Sequence, residues 1–325
     1  AADVNQSFTF TVRATNGVGS DDETWQVNVP DTVPPSVTVE QAAGQADPTS
    51  SLPINFTVTF SESVTDFDST DVVMGGTAGG VVFTVAGGGA AYTISVTDLT
   101  AAGTIQPTIP AGRVHDTAGN ANTASTSVDN SVTFEAGAAP VIQSWASVRT
   151  HTGKGDFSIA LPSAGDPAVE PRRDGVLKLL VDFNIAVQAS DGTLDVGDVV
   201  VGDSGGALYT PTSVALTNGG LRLEVGFAAG VLPNARRYTF DLGGRFVETV
   251  APHRLLQGDT DCEVRVLVGD VNGTASVNLI DVGAVKSKVS MTVDAATFRY
   301  DLNVDGNINL IDVGLCKSMS GSTVP

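Results

Sequence analysis

Residues 301–312 read Asp301-Leu302-Asn303-Val304-Asp305-Gly306-Asn307-Ile308-Asn309-Leu310-Ile311-Asp312. Residues 270–281 read Asp270-Val271-Asn272-Gly273-Thr274-Ala275-Ser276-Val277-Asn278-Leu279-Ile280-Asp281. The two stretches are offset by 31 residues, and Asn-Leu-Ile-Asp-Val-Gly recurs unchanged in both. Lys286-Ser287 and Lys317-Ser318 repeat at the same offset. An internal repeat of this length marks a duplicated supersecondary unit.

The spacing within each copy is that of a twelve-residue calcium loop. Such a loop needs oxygen ligands at positions 1, 3 and 5, a carbonyl at 7, a further contact at 9 and a carboxylate at 12. Asp301, Asn303, Asp305, Asn307 (through its carbonyl), Asn309 and Asp312 fill these places, with Gly306 at the sharp bend. In the first copy the candidates are Asp270, Asn272, Thr274, Ser276, Asn278 and Asp281. There Thr274 replaces a carboxylate and Ala275 replaces the glycine of the bend. Two Ca2+ sites are therefore expected, the second tighter by about 10-fold on charge count. Loss of metal is expected to unfold so small a core.

Working back toward the N-terminus, the period changes from helical to alternating. Phe8, Phe10, Val12 and Ala14 alternate with polar residues, as do Trp25, Val27 and Val29, around a turn-rich Asn16-Gly17-Val18-Gly19-Ser20. Residues 1–30 thus predict a hairpin, which cannot bury a core alone. Asp31-Thr32-Val33-Pro34-Pro35 reads as a stiff linker. Residues 31–136 predict one β-sandwich, with strands at Ile54–Phe60 and Tyr92–Val96 and around Val132 and Phe134, and turns at Gly75-Gly76 and Gly87-Gly88-Gly89. Residues 137–268 predict a second sandwich from Leu177, Leu179, Val181 and Phe183, from Leu221, Leu223, Val225 and Phe227, and from the alternations at 238–242 and 262–268. Residues 269–325 form the last module. The fold class expected is mainly β: tandem sandwiches followed by a small α-helical calcium module.

Two resemblances follow from these motifs. DTVPPSVTVE, FSESVTDF and DTAGNANTAS resemble bacterial Ig-like modules of surface and adhesion proteins. In the last of these, Asp116, Gly119 and Asn120 supply either turn chemistry or contacts to an inter-domain calcium. The duplicated loops, each ending in Asp and followed by a short apolar helix, resemble a type I dockerin over residues 269–320. That resemblance implies a cohesin module as partner. It also implies a recognition surface at Leu279, Ile280, Lys286 and Ser287 and at Leu310, Ile311, Lys317 and Ser318, usable in two orientations. The competing reading is that the Leu and Ile residues pack the module's own core.

Composition bounds the partners. The 17 basic and 36 acidic residues give a net charge of −19, which repels nucleic acid and anionic lipid. No stretch approaches the ~20 apolar residues that would insert into a bilayer. The opening AADVNQSFTF carries neither a basic leader nor a signal-type apolar run and reads as the start of a mature chain or an excised piece, so a secreted or cell-surface location is inferred from module type. Cys262 and Cys316 are either joined in a disulfide or ordinary buried thiols. Gly202-Asp203-Ser204-Gly205-Gly206 spells a serine-protease pentapeptide, yet His115, His151 and His253 sit in no triad-like context. Trp25 and Trp145 are expected in cores.

Three functions fit. The first is an extracellular, non-catalytic protein attached to a protein partner in a calcium-dependent manner, with sandwiches as spacers. The second is a calcium-stabilised filament, in which the 1–30 hairpin donates strands to another copy of the same chain. The third is the C-terminal part of a secreted hydrolase.

Overall fold

The computed structural model describes residues 6–324; residues 1–5 of the expected hairpin and residue 325 of the last module lie outside the described residues. The chain forms two compact units, 1–137 and 138–325. Strands dominate both.

In the first unit, β1 (Gln6–Asn16) and β2 (Gly19–Val29) pair antiparallel in unbroken register, with Phe10 opposite Trp25 and Phe8 opposite Val27. Alternation puts Phe8, Phe10, Val12, Trp25, Val27 and Val29 on one face. Arg13 and Asp22 pair across the other, at 2.6 and 2.7 Å. Every residue of both strands is exposed. Trp25, expected in a core, is 53% exposed, because two strands have no second layer to cover it.

Residues 37–134 fold into two three-stranded sheets, ordered Val37–Gln41, Ile54–Val64, Val82–Asp98 and Val73–Gly76, Gly103–Thr108, Val132–Phe134. Ile54, Phe56, Val58, Ile94, Val96 and Val132 point inward and are fully buried. The glycine runs behave differently from the turns predicted for them. Gly75 and Gly76 close an edge strand paired with Gln106 and Ile105. Gly87-Gly88-Gly89 lies inside the long strand Val82–Asp98, where pairing slips between Thr59 and Val64. Lacking side chains, that run bulges without reversing the chain.

The second unit is built on two five-stranded sheets. One runs Gly155–Leu161, Ile142–His151, Lys178–Phe183, Arg222–Gly226, Ser213–Thr217; the other runs Ala168–Glu170, Asp261–Val266, Arg236–Asp241, Val200–Asp203, Leu208–Tyr209. Between them sit Trp145, Leu179, Val181, Leu223, Val225, Tyr238, Phe240 and Val264. Leu221, read as part of a strand, instead ends a tight turn and is 36% exposed. Cys262 belongs to this core, whereas Cys316 lies in a second one, and both thiols are free.

Residues 269–324 carry two nine-residue helices, α1 (Leu279–Ser287) and α2 (Leu310–Ser318). Their own core holds Val271, Val277, Val285, Leu302, Cys316 and Val324, joined by Val169 from a sandwich strand and Leu267 just past the end of another. Val293, Phe298 and Ile308 are buried in the main sandwich core instead. Fully burying an Ile side chain contributes roughly 1.5–3 kcal/mol. Ile308 thus fixes the second loop to the sandwich more firmly than any single exposed polar contact.

Candidate metal centres

Each loop ends by starting a helix. Asn278 and Asn309 are N-caps whose side chains accept from the N–H groups of Ile280 and Ile311, at 2.8 and 2.7 Å. Asp281 and Asp312 answer from the third helical position, their Oδ2 atoms accepting from Asn278 N and Asn309 N at 3.0 and 2.9 Å. This is a capping box, and it uses position 9 and position 12 of each loop. The other oxygen of Asp281 accepts from Asn272 N, and that of Asp312 from Leu302 N and Asn303 N, so each carboxylate also closes its loop.

The two copies brace each other. Ser290 N, beyond the end of α1, donates to Ile308 O at 2.9 Å. Gly321 N, the equivalent residue beyond α2, donates to Val277 O at 2.8 Å. The end of each helix therefore holds position 8 of the other loop, and the pair is related by an approximate half turn.

Asp270, Asp281, Asp301 and Asp312 are all fully buried. Among the described residues none of the four has a Lys or Arg ion-pair partner. Asp270 Oδ1 accepts from Gly273 N and Thr274 N, and Asp301 Oδ2 accepts from Gly306 N. The remaining oxygens, Asp270 Oδ2 and Asp301 Oδ1, are buried without any hydrogen-bond partner. Buried carboxylate oxygens left unpaired cost several kcal/mol unless a cation meets them. Burial also pushes the Asp270 and Asp312 carboxyls above the usual range. The all-oxygen donor set suits a hard cation of the calcium type. Asp270, Asn272, Ser276 and Asp281 would hold one ion, and Asp301, Asn303, Asp305, Asn307 and Asp312 the other. Bound calcium would supply the positive charge that these buried acids otherwise lack.

The loops differ where the spacing predicts. Thr274 Oγ1 donates to Asn272 Oδ1 at 2.7 Å, so position 5 of the first loop spends its hydroxyl on position 3. Ala275 has φ +60°, the left-handed region, which costs a residue with a Cβ roughly 1–2 kcal/mol. Position 4 also has positive φ in both loops: it is Gly273 in the first but Val304, at φ +54°, in the second. Each loop thus has glycine at one of its two left-handed positions. The exchange between positions 4 and 6 escaped the spacing argument, which weighed position 6 alone.

Leu279, Ile280, Leu310 and Ile311 are 80%, 70%, 72% and 60% exposed, so they do not pack the module's core. Lys286, Ser287, Lys317 and Ser318 are exposed too, with Ser287 and Ser318 hydroxyls donating to Ala284 O and Leu315 O. The two helices thus present matched surfaces.

The other singled-out motifs are placed as follows. Asp116 Oδ1 accepts from Ala118 N and Asn120 N, which is turn chemistry. Its carboxylate also lies with those of Asp31 and Glu62, within 4.8 Å of one another and close enough to hold one cation, so both expectations for this residue stand. In the protease-like pentapeptide, Asp203 accepts from Gly205 N, Ala207 N and the Tyr209 hydroxyl, tying a tight turn. The histidines lie elsewhere: His115 beside Asp66, His151 beside Asp301 and His253 beside the Glu248 carbonyl. Trp145 is core, as expected. Burial pushes the Cys316 thiol up to about 12.

The fold and the paired loops define a mainly β, modular protein that ends in a small helical module built by duplication. Comparison with family models is specific: residues 268–319 match the dockerin type I domain and residues 31–134 match a bacterial Ig-like domain. The chain therefore carries a type I dockerin preceded by an Ig-like domain, neither of them a catalytic domain. No curated protein gives a significant match. Dockerin domains bind cohesin modules and are generally calcium-binding, which makes this a modular protein of dockerin-mediated attachment. No helix among the described residues is long and apolar enough to cross a membrane.

Proposed function

We propose that the chain is an extracellular, non-catalytic protein that docks onto a cohesin module in a calcium-dependent way. The Ig-like sandwich at 31–136 serves as a spacer, 137–268 as a support and 269–325 as the docking module. The observation that carries this reading is the duplicated Leu-Ile pair, 60–80% exposed at the start of two equivalent helices. Exposing four large apolar residues in one small module is costly unless a partner covers them. Asp270, Asn272, Thr274, Ser276, Asn278 and Asp281 form a weaker calcium loop, and Asp301, Asn303, Asp305, Asn307, Asn309 and Asp312 a tighter one. The test is calorimetric titration of a type I cohesin module into the full chain, in calcium and again in chelator. Binding in calcium that is lost in chelator supports the reading, and equal binding in both removes its calcium dependence.

A second reading is favoured by the hairpin, whose apolar face leaves Phe10 49% and Trp25 53% exposed. It pairs with another copy of the chain by strand addition, giving head-to-tail filaments. Light scattering of the full chain against a variant lacking residues 1–30 tests it. Polymers confined to the full chain support self-association, and monomers in both samples exclude it.

A further inference from the structure

Both loops touch the sandwich, but only the second has a sandwich side chain hydrogen-bonded to its first-position aspartate. His151, the last residue of strand Ile142–His151, is fully buried and places Nδ1 2.7 Å from Asp301 Oδ2. The His151 Nε2 faces Arg172 Nη1 at 3.4 Å. A guanidinium only donates, so Nε2 accepts and the proton sits on Nδ1, directed at Asp301. Arg172 is itself locked by Glu170 through two 2.7 Å bonds, and Glu170 accepts from the Ser147 hydroxyl. All four of these side chains are fully buried.

Asp301 Oδ2 thus accepts from two donors, His151 Nδ1 and Gly306 N, while Oδ1 is left unpartnered. The backbone is shared as well. Thr152 N donates to Val304 O at 3.0 Å and Arg173 N to Leu302 O at 2.7 Å. A Cβ at Gly306 would run into the Thr152 carbonyl oxygen, so glycine there serves this approach as well as the bend. The carboxylate of Asp270, at the same position of the first loop, accepts hydrogen bonds from Gly273 N and Thr274 N of its own loop.

We infer that His151 is a positioning residue for the second calcium loop, so that the second metal site belongs jointly to the sandwich and the docking module. The inference rests on the calcium reading above. The imidazole fixes the rotamer of Asp301 and turns its free oxygen toward the ion, as outer partners of metal ligands do elsewhere. Calcium in that loop then latches the module onto the sandwich through Asp301, Val304 and Leu302.

The test is a two-site calorimetric titration of the full chain with calcium chloride, comparing the unchanged protein, His151→Phe and His151→Asn. His151→Phe removes the donor and is expected to weaken the second site about 10-fold or more. The first site should stay within about twofold, which a general loss of folding would not allow. His151→Asn keeps an N–H donor near the same place and should recover most of the affinity. Hydrogen exchange on the unchanged protein, with and without chelator, stands even if His151→Phe fails to fold. Calcium should slow exchange at Thr152 and Arg173. Two intact sites in His151→Phe, or exchange at Thr152 and Arg173 indifferent to calcium, would overturn the inference. Absence of calcium binding in the unchanged chain would instead overturn the calcium reading itself.

Discussion

His151 and Asp301 lie 150 positions apart in the chain and 2.7 Å apart in the fold, both with fully buried side chains. The contact makes the two duplicated loops unequal in their supports as well as in their sequences. One loop closes largely on itself and the C-terminal segment, where Val277 N donates to Ser322 O and Val324 N to Ala275 O. The other closes on a sandwich.

Removing calcium should melt the docking module before the rest. Its own core is a handful of residues around Val277, Val285, Leu302 and Cys316, and its four buried carboxylates would repel one another without metal. Chelator is expected to abolish most of the helical circular dichroism and to open proteolytic cleavage within 269–320. The thermal transition of the Ig-like domain should stay within a degree or two. Helicity unchanged by chelator would show that the module holds together without calcium.

The matched helices predict redundancy in docking. Replacing Leu279 and Ile280 by Asp, or Leu310 and Ile311 by Asp, leaves one intact surface in each case. Each double variant is expected to lose less than about 10-fold in cohesin affinity, and the fourfold variant well over 100-fold, as expected when a few exposed anchors carry most of an interface. Surface plasmon resonance on the three variants reads this directly. Full loss from either double variant alone would show that a single orientation is used.

Ala275 at φ +60° predicts a gain from glycine. Ala275→Gly removes a left-handed penalty of about 1 kcal/mol, which is roughly fivefold in affinity if the strain belongs to the closed loop. Calcium titration should show the first site tightening and the second unchanged.

Glu62 predicts a pH dependence confined to the Ig-like domain. Burial, then the neighbouring Asp31 and Asp116 carboxylates, push its carboxyl above the ordinary value of 4.5. The folded state therefore holds this proton more tightly than the unfolded chain. Below about 4.5 the group carries no penalty, and stability falls as pH rises through the raised folded value. Glu62→Gln should be more stable than the unchanged protein at pH 7, by up to about 1 kcal/mol, with the difference vanishing near pH 4. Thermal melts across pH 4–7 measure it, and a difference that grows toward low pH would contradict the assignment.

The duplicated loops were legible because their pattern is local: Asp301 to Asp312 lie in twelve consecutive residues. The buried faces of strands such as Ile54–Val64 were legible for the same reason, since alternation has a period of two. The contact of His151 with Asp301 was not, because a lone histidine before a turn carries no signal of an aspartate 150 positions later. Nor did alternation reveal that Phe10 and Trp25 lack a covering layer, since amphipathicity specifies a face and not what it meets. Gly87-Gly88-Gly89 misled because the same residues serve a turn or a bulge, and only pairing with Ile54–Val64 decides.

That residues 270–281 and 301–312 form a pair of unequal calcium loops is a proposal about metal binding itself. Calorimetric titration of calcium chloride into the chelator-stripped full chain tests it most directly. Two sites about 10-fold or more apart are expected, with Asp312→Ala abolishing the tighter and Asp281→Ala the weaker. A chain that takes up no calcium, or whose tighter site survives Asp312→Ala, would contradict it.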